Sequence, residues 1–243
     1  MRPKYDLDKI RFATDAPTFE KAVGLYERGK VTKFRKDFGG YSAIVLGTQP
    51  YEVSVSERNF DEGNCSCYLG QNDTLCKHLV ALAICAVKKG GTLTDDDKRQ
   101  FSQAISSGRL GELNRDELSK VKKEITGALK YIKPYNGPSK IWFSYQSSLS
   151  EGCNRLSKIV SELPISEQTA KLLVDMLLRL DAKLCRGGVD DSDGTVGGFV
   201  EETVQSLLGF AKLDPVCVTA FQKLEGRETC FGWEESLLKL LKS

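Results

Sequence analysis

Three cysteines and the chain's single histidine lie together in residues 65–78, and this cluster constrains the fold more than any other feature of the sequence. One residue separates Cys65 from Cys67, one separates Cys76 from His78, and eight residues join the two pairs. Residues i and i+2 of an extended segment point the same way, so Cys65 and Cys67 can present two sulfur atoms to one point. The linker at 70–73 can fold the chain back towards Cys76 and His78.

Three thiolates and one imidazole form a closed tetrahedral ligand set that suits structural zinc, and soft thiolates favour zinc over magnesium or calcium. The alternative is that these cysteines are packing residues, because cysteine is often buried. The polar neighbours at 61–64 and the unique histidine favour a metal site. Lys77 and a helix N-terminus would offset the excess negative charge of the thiolates. The sequence predicts one structural zinc ion bound by Cys65, Cys67, Cys76 and His78.

The residues around this cluster predict a small sheet followed by many helices. A helical pattern at 19–28 precedes three strand patterns, at 30–37, 41–46 and 51–56, which are separated by glycine-rich and proline-containing turns. An apolar helix then runs from His78 to about Val87. From Thr94 onward the pattern is helical, with capping signals at Thr94 and Asn114 and the strongest helix at 166–185. Residues 141–145 fit either a short strand or the start of a helix.

We therefore expect an α+β fold, in which a small N-terminal antiparallel β-meander with a zinc finger and a helix precedes a larger all-α region. The boundary is predicted at Gly90–Gly91, which gives a zinc-finger module at 1–91, with its core at about 51–87, and a helical domain at 92–243.

The pattern Cys-x-Cys, eight residues, Cys-x-His, preceded by a β-meander and followed by an apolar helix, resembles the SWIM-type zinc finger of prokaryotic proteins. The segments 26–31 and 51–55 are similar to the usual lead-in of that family, and the resemblance covers residues 20–87. All four ligand positions match. The resemblance implies zinc binding, with roles in DNA binding and protein–protein interaction, and it implies no enzymatic activity.

The charge distribution is compatible with a polyanionic partner. The net charge is +2, but basic residues are in excess before residue 140 and acidic residues after it. Nucleic acid, with DNA favoured, is the expected ligand; the alternatives are that the basic strand is a solvated sheet face, or that the protein is an interaction adaptor using its C-terminal helices. The candidate phosphate contacts are Lys30, Lys33, Arg35, Lys36 and Lys77.

Catalysis is not expected. A zinc-bound His78 leaves no histidine for acid–base chemistry, a Cys₃His shell leaves no open metal position, and the glycine pairs lack the Lys-Ser/Thr of a phosphate-binding loop. No small-molecule substrate is therefore predicted. The acidic run 190–194 lacks two ligands of an EF-hand, because Val189 and Val200 occupy the first and twelfth positions, and it is expected to cap the following helix.

The remaining cysteines are expected to be isolated, buried thiols in a reducing compartment. Neither a secretory signal nor an apolar run of the ~20 residues needed to cross a bilayer is visible, so a cytoplasmic protein with no membrane partner is predicted. The five remaining cysteines, outside the metal cluster, are Cys85, Cys153, Cys185, Cys217 and Cys230.

Overall fold

The structure is a computed structural model that describes residues 3–138 and 142–242, apart from the side chains of 142–144. The chain forms two compact units, one ending at Gln100 and the other beginning at Phe101. Residues just beyond Gly91 pack with the first unit: the Arg11 guanidinium donates to the carbonyl oxygen of Asp96 at 2.5 Å, and Lys98 pairs with Glu27 at 2.8 Å. The fold is α+β, as the sequence predicted.

The first unit contains a four-stranded antiparallel sheet in the order β1-β2-β3-β4. The three strands predicted from alternating apolar residues are present. A fourth strand, β4, was not predicted because its three residues carry no alternation; it pairs with β3, placing Cys65 opposite Val53. The strands are β1 (Val31–Asp37), β2 (Gly40–Leu46), β3 (Pro50–Ser56) and β4 (Gly63–Cys65).

Helices cover one face of this sheet. Helix α4 is buried along most of its length because apolar residues surround it, and it packs with α2 on the face that carries Tyr41, Val45 and Val53. The opposite face, here called the outer face, carries half-buried and exposed polar residues of β2, β3 and β4. The helices of this unit are α1 (Leu7–Phe12), α2 (Ala16–Glu27), α3 (Tyr68–Gln71), α4 (Lys77–Lys88) and α5 (Asp95–Lys98).

The second unit is helical and has its own apolar core. Asn114 forms the capping box that the sequence predicted, at the start of α6, and Thr94, predicted as an N-cap, forms the capping box of α5 in the first unit. Residues 141–145, which fitted either a strand or a helix in the sequence, are helical from Trp142 onward. Ile141 lies outside the described residues. The helices are α6 (Arg115–Ala128), α7 (Trp142–Glu162), α8 (Glu167–Cys185), α9 (Thr195–Leu213) and α10 (Glu235–Leu238), with 3₁₀ segments at Pro215–Leu224, Cys230–Gly232 and Lys239–Leu241.

The acidic run 190–194 caps a helix, as predicted. The Asp191 carboxylate accepts hydrogen bonds from the backbone amides of Val196 and Gly197, both at 2.7 Å. These two amides belong to the first turn of α9, where intrahelical partners are missing. The run therefore has a structural role that needs no metal ion.

One expectation about the cysteines is wrong. Cys185, the last residue of α8, forms a disulfide with Cys230, and Cys185 is exposed. The pairing is invisible in the sequence because Cys230 comes 45 positions after Cys185 and only the packing of the second unit brings them together. Cys153 and Cys217 are buried thiols, as expected, and Cys85 is half-buried.

Candidate metal centre

The four predicted ligands come from the ends of three elements of the first unit. Cys65 ends β4, Cys67 is the N-cap of α3, and Cys76 is the N-cap of α4, with His78 in its first turn. All four side chains are buried. The short strand and the two helix starts thus turn a linear pattern into one compact cluster.

The distances within the cluster suit a tetrahedral zinc ion. The four ligand atoms all lie within 4.8 Å of one another. His78 Nδ1 lies 3.7 Å from the Sγ of Cys65 and 3.9 Å from the Sγ of Cys76. Zinc bonds of about 2.3 Å to sulfur and about 2.0–2.1 Å to nitrogen, at tetrahedral angles, separate sulfur and nitrogen by about 3.6 Å. These two distances therefore suit the ion, and the imidazole would bind through Nδ1.

Backbone amides support negative charge on the sulfur atoms. The Gly70 amide donates to the Sγ of Cys67 at 3.4 Å. A hydrogen bond from the Cys65 thiol lowers the pKa of Cys76, and so do the contact with His78 and the Leu79 amide at the start of α4. The same pairing raises the pKa of Cys65, so the metal-free cluster favours a thiolate at Cys76. A thiolate at this position favours the binding of a metal cation.

The histidine ring is held by residues that the sequence analysis did not single out. The rings of His78 and Tyr51 lie 4.4 Å apart, centroid to centroid, and the Tyr51 hydroxyl contacts Thr48 Oγ1 at 2.8 Å. A Cβ atom at Gly47 would lie 2.9 Å from His78 Nε2. Tyr51 and Gly47 therefore fix the ring orientation that turns Nδ1 towards the sulfurs. The only sequence signal for them was their place in a turn and strand before the cluster.

Two glycines permit the close approach of the chain around the ligands. A Cβ atom at Gly70 would lie 2.4 Å from the carbonyl oxygen of Cys65 and 2.5 Å from its Cβ atom. A Cβ atom at Gly63 would lie 2.4 Å from the Ser54 carbonyl oxygen. Since such distances are shorter than van der Waals contact, a side chain at either position would displace the backbone that carries Cys65.

A second group of possible ligands, Asp181, Cys185 and Cys230, lies in the helical unit. It differs from the first group because its two sulfur atoms are bonded to each other and Cys185 is exposed. The buried Cys₃His cluster is therefore the candidate metal centre.

The geometry is that expected of a zinc finger, in which a closed Cys₃His cluster joins a β-hairpin to a helix. Residues 51–86 match the family model of the SWIM zinc finger. The chain carries a SWIM zinc finger in this segment, and its Cys65, Cys67, Cys76 and His78 form a cluster able to bind zinc. No curated protein and no solved structure shows significant similarity to the chain.

The predicted nucleic-acid contacts are divided between different surfaces. Lys33 and Arg35 both line an open concavity of about 680 Å³ on the outer face of the sheet. Lys36 pairs with Tyr41 and Arg35 with Ser42, so Lys36 and Arg35 point to opposite faces. Lys30 precedes β1 and is exposed, and Lys77 is the half-buried first residue of α4.

A bulge in β1 determines which charges share a face. Thr32 pairs with Ile44 and Arg35 with Ser42, so Lys33 and Phe34 together oppose one residue of β2. Lys33 has a φ of 51°, in the left-handed region, and Phe34 stacks on Tyr41 with 5.7 Å between ring centroids. Lys33 and Arg35 nevertheless both line the concavity of the outer face.

In the part of the chain that the structure describes, no helix is both long and apolar enough to cross a membrane.

Proposed function

We propose that this protein is a non-catalytic, zinc-stabilised module that binds nucleic acid, with DNA favoured, through the outer face of its sheet. One zinc ion per chain would hold β4 and α4 together by means of the four ligands. The closed shell supports a structural ion, because three thiolates and an imidazole leave no position for substrate or reactive water. A cytoplasmic location suits the proposal, since reducing conditions preserve zinc-binding thiolates.

The observation that carries the proposal is the shape and chemistry of the outer face. Across the four strands, Arg35, Ser42, Ser54 and Asn64 stand opposite one another in one row. Small polar side chains leave the sheet accessible, and Lys33 adds a second cation beside that row. Guanidinium, ammonium, hydroxyl and amide groups are the donors that bind phosphate and sugar oxygens.

The same face predicts modest affinity and little sequence preference. Glu52 also lines the concavity, and the Ser42 hydroxyl donates to the Asp37 carboxylate, so carboxylates offset part of the positive charge. No aromatic ring is among the described residues that line the concavity. Binding without aromatic stacking or a groove-reading helix relies on phosphate contacts, which carry no base information.

Charge reversal on the two faces of β1 tests the proposal. Single- and double-stranded DNA binding would be measured at several salt concentrations for the parent protein and for a Lys33→Glu, Arg35→Glu variant. Losing two phosphate contacts should weaken binding similarly for all sequences and flatten the slope of log K against log salt by about two. Lys36→Glu, on the opposite face, is the matched control and should retain most of the binding.

Two outcomes would remove the nucleic-acid proposal. One is the absence of DNA or RNA binding at low salt, and the other is unchanged binding by the double variant. The adaptor function would then lead, because Leu213, at the end of α9, and Val216, in the 3₁₀ segment after it, each expose more than half of their surface. Protein-binding surfaces commonly expose such apolar residues.

A further inference from the structure

The disulfide in the helical unit joins an exposed cysteine to the last part of the chain. Cys185 ends α8, and Cys230 begins the 3₁₀ segment that precedes α10, with 6.1 Å between their Cα atoms. Of the eight cysteines, all of which the structure describes, Cys185 alone is exposed. Cys185 lines an open cleft of about 510 Å³ together with Asp181, Arg186 and Arg227, which gives a small thiol a route to this residue.

Asp181 holds the two cysteines together independently of the sulfur–sulfur bond. It precedes Cys185 by one turn of α8, and its Oδ1 atom accepts from the Cys230 amide at 2.7 Å and from the Trp233 indole nitrogen at 3.2 Å. Neither hydrogen bond involves a sulfur atom, so both can remain in the closed segment when the disulfide opens. The two thiols would therefore stay close enough to re-form the bond.

Besides Cys185 and Asp181, the first half of the segment 225–242, here called the C-terminal segment, is held by local hydrogen bonds, from Arg227 Nε to the Lys223 carbonyl oxygen and from the Thr229 hydroxyl to the Glu234 carboxylate. Gly226, Phe231 and Gly232 have φ values of 69°, 67° and 64°, and Phe231 is exposed although it is not a glycine. A left-handed backbone at such a residue persists only when surrounding contacts impose it. The second half of the segment is anchored in the core by Trp233 and Leu237.

We propose that Cys185 and Cys230 form a reversible thiol–disulfide exchange site that controls how tightly the C-terminal segment is held against α8. The reductant is a thiol of low molecular mass or a dithiol protein. Its thiolate attacks the exposed Cys185 sulfur, the protein disulfide breaks, and Cys230 leaves as a thiolate that takes up a proton. A second thiol then attacks the mixed disulfide, which frees Cys185 and leaves the reductant oxidised by two electrons.

Reduction loosens the C-terminal segment because the cross-link restricts its open states. Without the disulfide, the conformational freedom of the locally unfolded segment is limited only by its covalent connection to the chain and by the contacts of its second half. With the disulfide intact, the ends of the loop between Cys185 and Cys230 stay joined even when the segment unfolds locally, which lowers the entropy of the locally unfolded states. The oxidised form is therefore the one protected against local unfolding of the C-terminal segment. Such unfolding would expose the core positions of Trp233 and Leu237.

The test follows the redox state and the opening of the segment in the full-length, zinc-loaded protein. Samples equilibrated in glutathione buffers from fully reduced to fully oxidised would be alkylated and analysed by mass spectrometry. We expect Cys185 and Cys230 peptides to be linked under oxidising conditions, separately alkylated under reducing conditions, and interconverted on cycling. Amide exchange in the C-terminal segment should be at least about 10-fold slower in the oxidised form.

Variants separate this site from general effects of oxidation. Cys185→Ser and Cys230→Ser should exchange like the reduced parent in both buffers, whereas Cys85→Ser should keep the full redox response. Asp181→Ala should slow disulfide formation by about 10-fold, since it removes the shared acceptor that orients Cys230.

The proposal is overturned if the two cysteines stay unlinked in every buffer, or if excess thiol does not reduce the folded protein. Equal amide exchange of the linked and unlinked parent forms would also overturn it, and this comparison needs no variant.

Discussion

The Sγ atom of Cys65 and the Nδ1 atom of His78 lie 3.7 Å apart although His78 comes thirteen positions after Cys65 in the sequence. One residue ends a strand and the other begins a helix, so the contact joins the sheet to α4. Holding the two atoms at this distance requires the chain to turn twice within a few residues, at α3 and at the start of α4. The finger thus connects the β-sheet of the first unit to helix α4.

We predict that the protein purified without chelator contains one zinc ion per chain. Cys76→Ser should lower zinc affinity by about 10-fold or more, because a hydroxyl is a poor replacement for the thiolate at the start of α4. Cys85→Ser is the matched control, since Cys85 lies on the same helix but outside the cluster, and it should keep the full zinc content. Metal analysis by mass spectrometry checks both; a zinc-free parent protein would contradict the assignment.

We predict that Gly70→Ala damages the finger without touching a ligand. The added methyl group would meet the Cys65 carbonyl oxygen at 2.4 Å, so the backbone between Cys65 and Cys67 must move. Zinc affinity should fall by about 10- to 100-fold, as for other substitutions next to ligands. Gly209→Ala, in α9 with open space around the new Cβ atom, should leave zinc affinity unchanged. Equal affinities for the two variants, in competition with a chromophoric chelator, would show that Gly70 is not required.

We predict that chelation of zinc unfolds part of the first unit and leaves the second unit folded. The four ligands all lie in the first unit, and metal-binding energy in such a site is folding energy. The second unit has a separate core and should keep most of the far-UV helical signal. Amide exchange would resolve the units; loss of helicity from both in one cooperative step would be the contrary result.

We predict that zinc affinity decreases as the pH falls. Zinc displaces the protons of the thiols and imidazole, so acid competes with the metal. In the metal-free site the pKa of Cys65 is raised through its hydrogen bond to Cys76, and the pKa of Cys76 is lowered by the same bond. Zinc must then displace at least the Cys65 proton at neutral pH, and affinity should change by about 10-fold per pH unit for each displaced proton. Competition titrations at several pH values around neutrality measure this slope, and a flat profile would contradict it.

The zinc ligands and the sheet could be predicted because they follow short-range patterns. The spacing of Cys65, Cys67, Cys76 and His78 is itself a metal-ligand pattern, and period-two alternation marks β2 and β3 directly. Helix caps such as Asn114 are equally local, since the side chain bonds amides two and three residues away. The residues that form these features are close together in the sequence as well as in space.

Other features depend on contacts between distant residues and could not be predicted. The Cys185–Cys230 bond needs the helical unit to be folded before the two sulfur atoms meet. The contacts of Gly70 and Gly47 with the ligands likewise depend on the complete finger. The bulge in β1 leaves the alternation of charges almost intact, so the sequence gives no sign that Lys33 and Phe34 oppose a single residue.

That bulge has a consequence for how a partner can approach the sheet. Strand β1 lies at the edge of the sheet, and from Lys33 to Asp37 every residue is exposed. An irregular ladder with charged side chains discourages the addition of another strand from a second polypeptide. Recognition by β-augmentation is therefore disfavoured on this side, which favours a partner that lies across the sheet over one that extends it.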